Sequence, residues 1–94
     1  MNNFALPKRW TMTQQATAQR NAQALLGLDH TVRSTALKLG ADTHQADALV
    51  LEARSRFTIT NAIPRALRSD GQPILGDNGL PITVEAWTRR RLNL

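Results

Sequence analysis

Apolar positions recur at helical spacing up to about residue 57, and the rhythm then changes. Ala18, Ala22, Leu25 and Leu26 fall at i, i+4, i+7 and i+8, one stripe of a helix. Thr11 or Thr13 can cap that helix, which is expected to run through about Leu28, with Gly27 and Asp29 marking its end. A second helix is expected from about Thr31 to Leu39, with Val32, Ala36 and Leu39 on one side and Gly40 as its stop. Asp42 or Thr43 then caps a third, whose Ala46, Leu49, Val50, Ala53 and Phe57 form the cleanest apolar stripe, with Leu49, Val50, Ala53 and Phe57 as the expected body core. Glu52 and Arg56 stand at i, i+4 in the favourable order.

β-Branched Thr58-Ile59-Thr60 and then Pro64 end or kink this helix, and residues 62–68 are read as a single short helical turn. A tandem echo follows. Asp70-Gly71-Gln72-Pro73-Ile74 returns eight residues later as Asn78-Gly79-Leu80-Pro81-Ile82. Asp-Gly and Asn-Gly favour turns, and each Pro pushes the residue before it into extended geometry. The echo therefore predicts an extended double-turn arm, with Thr83 capping a last helix that carries Trp87 and ends in Arg89-Arg90-Arg91.

The reading is a mainly α chain: a small three-helix body, the arm, and a short C-terminal helix. Its parts are an irregular lead-in (1–10), the body (11–60), a connector and arm (61–82) and a basic helix (83–94). Phe4, Leu6 and Trp10 give the lead-in apolar anchors, so it is expected to dock. With 94 residues and no cysteine the chain has a small core and no disulfide, which favours an oligomeric or assembled state.

Charge sharpens this picture. Lys and Arg number 12 against 7 acidic residues, and the excess sits at the two ends while the body is nearly neutral. Lys8 and Arg9 beside Trp10, and Arg89, Arg90 and Arg91 beside Trp87, suit phosphate or an acidic protein surface. Three consecutive arginines fan around a helix, so sequence-independent nucleic-acid contact fits them and base reading does not. No apolar run approaches the roughly 20 residues of a membrane span. No apolar core follows Lys8-Arg9 as in a signal peptide, so an intracellular or virion location is expected.

The inventory argues against an enzyme. His30 and His44 have no ligand-type partner at i+3 or i+4 beyond a lone Asp47, and the carboxylates are scattered singly. No catalytic, cofactor-binding or metal-binding set is found, and no cofactor is expected.

Two resemblances bear on function. Residues 70–87, DGQPILGDNGLPITVEAW, resemble tails of phage-encoded head and scaffold-type virion proteins, in which Asp-Gly-x-Pro-aliphatic leads into Thr-Val-x-x-Trp. That resemblance implies a non-enzymatic phage virion or assembly component. Its arm would dock on other copies of itself or on a larger assembly protein through Trp10, Pro73, Ile74, Pro81, Ile82 and Trp87. Deletion of residues 70–82 is then expected to spare the helical body and stop assembly. Residues 35–49 resemble a phage-repressor-type helix-turn-helix through Ala36, Leu39, Gly40, Ala46 and Leu49. The alternative this implies is a small transcriptional regulator with Thr43, His44 and Gln45 at base edges. Asp42 and Asp47 would then meet phosphate with the wrong sign.

Overall fold

The computed structural model describes residues 11–93. The expectations for the lead-in, including Trp10, Lys8 and Arg9, lie outside them. The chain is mainly helical, in the order α1 (Met12–Lys38), α2 (Thr43–Arg56), β1 (Phe57–Thr60), β2 (Ile63–Ala66) and α3 (Val84–Arg91).

The first two expected helices are one. α1 runs unbroken through Gly27 for 27 residues and sets the long axis of a 47 × 30 × 19 Å body. A mid-helix glycine costs only about 1 kcal/mol against alanine. Immediately beyond that position Leu28, Val32 and Ala36, at i, i+4 and i+8, bury one continuous face. Asp29, expected to mark a helix end, instead receives hydrogen bonds from the Arg54 guanidinium on α2. The expected stripe is turned away from the core: Ala22 is exposed, and Leu26 keeps 66% of its surface in water.

The caps at the start of α1 and α2 and the stop at Gly40 are as the sequence indicates. Thr11 and Gln14 form a capping box at the start of α1, and Asp42 and Gln45 form another at the start of α2. Between them Gly40, at φ 101°, donates to the Leu37 carbonyl while Ala41 donates to that of Ala36, a Schellman closure. The residues of the third predicted stripe, Ala46, Leu49, Val50, Ala53 and Phe57, are all buried, but Phe57 is extended and opens β1 instead of continuing the helix.

Beyond Phe57 the β-branched residues do more than end a helix. β1 and β2 pair antiparallel, with Phe57 opposite Ala66 and Thr60 opposite Ile63. Residues 63–66, expected as part of a helical turn, are a strand, because Pro64 removes the N–H that a helix would need. The two-residue turn, Asn61-Ala62, has positive φ at both positions (51° and 64°), as a type I′ turn requires. Alanine is unusual there, and the Asn21 side chain of α1 accepts a hydrogen bond from the Ala62 N–H at 2.7 Å. Ala62→Gly relieves the left-handed strain and keeps that bond. It is expected to stabilise the fold by about 0.5–1 kcal/mol, read as a higher urea midpoint with unchanged slope.

The echo in sequence is an echo in hydrogen bonds. In the first turn Arg68 N–H bonds Gln72 O at 2.8 Å, Gly71 N–H bonds Arg68 O at 2.9 Å, and Ile74 N–H bonds Ala66 O at 2.9 Å. Eight residues on, Gly76 N–H bonds Leu80 O at 2.7 Å, Gly79 N–H bonds Gly76 O at 3.1 Å, and Ile82 N–H bonds Ile74 O at 2.8 Å. The side chains repeat as well, since Asp70 Oδ1 accepts from Gln72 N–H and Asn78 Oδ1 from Leu80 N–H, both at 3.0 Å. Gly71 and Gly79 supply the left-handed residue that closes each three-residue turn, at φ 85° and 78°. Single bridges, Leu67 with Pro73 and Leu75 with Pro81, continue the hairpin as a stepped meander.

Candidate interaction surface

Strand alternation sorts the arm into two faces. Phe57, Ala66, Ile74 and Ile82 are successive cross-strand neighbours on the inner face. Phe57, Ala66 and Ile82 are buried, and Ile74 packs half-buried against the core. Trp87 of α3, with only 4% of its surface exposed, closes this face. Its ring meets that of Phe57 edge-on, with centroids 5.5 Å apart. Of the residues expected to reach a partner, Ile74, Ile82 and Trp87 therefore serve the protein's own core. The sequence shows these as apolar residues in an extended segment, and only their parity within the meander assigns them inward.

Pro73 and Pro81 stand on the other face, with their bridge partners Leu67 and Leu75. Leu75 is 50% exposed on this face; Leu80, which closes the second turn against Gly76 in the register of Ile82, is 61% exposed. Leu75 and Leu80 were absent from the sequence-based set. Their signal was available in the spacing, since each lies one position from a Pro or Ile of the echo. Pro81 also leaves the last rung without an N–H, so the edge of the meander is poorly suited to adding another strand.

The C-terminal arginines have partners of their own. Arg91 binds Glu52 of α2 through Nε at 2.5 Å and Nη2 at 3.0 Å, so Glu52 pairs across helices rather than with the expected Arg56. Arg90 donates from both Nη atoms to the Leu75 carbonyl at 3.3 Å and reaches Asp77 at 3.4 Å, clipping the second turn to α3. Arg89 is exposed and makes no ion pair among the described residues. The row therefore offers one free guanidinium and two that already face carboxylates.

Ion pairs also fix the two long helices, with Arg54 on Asp29 and Arg33 on Asp47. The Arg54 hydrogen bonds, helped by its charge and that of Arg33, hold the Asp29 carboxyl below its ordinary range against partial burial. In the arm the Gln72 N–H and then the Arg68 guanidinium lower the Asp70 carboxyl in the same way.

At the start of α2, Thr43, His44 and Gln45 are all exposed. Gln45 Oε1, however, accepts from the Asp42 N–H at 3.2 Å within the capping box, and Asp42 itself lies beside it. Among the described residues no group of His, Asp or Glu is placed to hold a metal ion. No described helix is long and apolar enough to cross a membrane. Compared with known proteins, the chain matches no family model, no curated protein and no solved structure.

Proposed function

We propose that this chain is a non-enzymatic interaction protein, a small phage virion or assembly component, that docks on a larger assembly protein through the outer face of its arm. The observation that carries this reading is the exposed apolar group of Leu75 and Pro81 on the outer face, with Leu80 beside them where the second turn closes. It is left uncovered on a meander whose inner face is built into the core. An apolar patch on a firmly held frame can bury area on a partner at little ordering cost. Arg89, together with Lys8 and Arg9 of the lead-in, supplies positive charge for an acidic partner surface or for packaged nucleic acid.

The test is a double variant, Leu75→Ser with Leu80→Ser, in the virus or prophage that encodes the chain. Both positions are half or more exposed, so the melting curve is expected to stay within about 0.5 kcal/mol of the parent. Mass spectrometry of purified particles and assembly intermediates is expected to find the parent chain and to miss the variant. Equal incorporation of the two would defeat the docking reading. If the chain associates only with its own copies, the occupant is a second protomer instead.

The alternative, a small helix-turn-helix regulator, draws on exposed Thr43 and His44 at the start of a helix that follows a tight Schellman turn. It requires salt-dependent binding that prefers one duplex over scrambled ones. Asp42, adjacent to the proposed reading residues, works against that outcome.

A further inference from the structure

We propose that Asn78 is a self-modification site, where the side-chain amide is lost and the second turn of the arm takes on the chemistry of the first. Asn78 is the one asparagine in the chain that precedes a glycine. It is exposed at the turn tip, and the space where Gly79 would carry a Cβ is open to 4 Å. The Gly79 nitrogen, once deprotonated, attacks Cγ of Asn78 and forms the N–Cγ bond. The Cγ–Nδ2 bond then breaks and the nitrogen, taking up a proton from solvent water, leaves as ammonia, closing a five-membered succinimide. Water reopens the ring. Addition at Cγ breaks the new N–Cγ bond and gives aspartate, while addition at the main-chain carbonyl carbon gives isoaspartate.

Two features of the turn direct this chemistry. The Leu80 N–H lies 3.0 Å from Oδ1, the atom on which negative charge develops as nitrogen adds to Cγ. The attacking nitrogen is held by a bond to Gly76 O at 3.1 Å, so local opening of the turn gates the step.

The first copy shows what the product becomes. Asp70 occupies the equivalent place and accepts from Gln72 N–H at 3.0 Å, the bond that Asn78 makes with Leu80. A carboxylate is therefore compatible with this turn. The aspartate form keeps the meander, gains one negative charge beside Asp77, and lies at the turn that Arg90 clips. The isoaspartate form inserts a main-chain methylene inside the loop closed by the Gly76–Leu80 bond and breaks the repeat.

The experiment incubates the full chain in mildly alkaline buffer and follows intact and fragment masses. The expected result is a gain of about one mass unit confined to residue 78, with Asn2, Asn3, Asn21, Asn61 and Asn93 unchanged over the same period. Asn78→Asp, made directly, is expected to melt with the parent. No gain over a time that converts a short Asn-Gly peptide would overturn the proposal, as would a gain spread over the other asparagines. A clear loss of stability in Asn78→Asp would overturn the claim that the turn accepts the carboxylate.

Discussion

Replacing Trp87 with alanine is expected to be among the most destabilising single substitutions this fold can suffer. Trp87 is nearly inaccessible and packs edge-on against Phe57, so it links α3 to the end of α2 and to the inner face of the meander. Truncating a buried tryptophan costs about 3–5 kcal/mol, lost transfer energy plus the cavity left behind. At about 0.05–0.15 kcal/mol per residue, a chain of 94 residues has roughly 5–14 kcal/mol in all. The melting temperature should fall by at least about 12 °C, or the cooperative transition should vanish. Circular dichroism against temperature reads this directly. Arg89→Ala, two positions on and exposed, should stay within about 0.5 kcal/mol of the parent. A Trp87→Ala protein that melts normally would mean that α3 is an appendage.

Excising residues 70–82 is expected to unfold the body. The sequence alone suggested the opposite, a detachable arm whose loss spares the helices. In the structure the excised segment carries Ile82, 5% exposed, and the partly buried Ile74, both packed in the core. Losing the Ile82 side chain alone costs about 2–5 kcal/mol. The deletion also removes the backbone partner of Ala66 and the path that brings Thr83 to the start of α3. Far-UV circular dichroism should show reduced helix and no sharp melting transition. A deletion protein with the parent transition would restore the detachable arm.

Local signals in this chain were legible wherever a single residue type enforces the geometry. Thr11, Asp42 and Thr83 cap their helices, Gly40 ends α1, and the third stripe is buried throughout. The misreadings share a cause, which is that tertiary packing outvoted a local cue. Gly27 and Asp29 looked like a stop, but burial of Leu28, Val32 and Ala36 holds the helix through them. Val32 and Ala36 lie on the buried face as their spacing indicates, but in the first half of α1 the Ala18–Leu26 stripe is the more apolar one in sequence while the inner face is interrupted by Asn21. That asparagine stands seven residues before Leu28, and its position on the inner side shows only once the Ala62 N–H reaches it. In the arm, spacing revealed the two turns, yet the division into inner and outer faces depends on register, which a motif of turn residues does not specify.

The eight-residue period has an evolutionary corollary. Ile74 both donates to the rung before it and accepts from the rung after it, so each copy ends with the fitting that the next one uses. Eight is even, so an in-frame duplication of one copy would add a rung without exchanging the two faces. An insertion of odd length would turn every later apolar side chain over. A whole added unit would, however, carry Thr83 and α3 one rung further from Phe57 and Glu52, so the Trp87–Phe57 and Arg91–Glu52 contacts hold the number of copies at two.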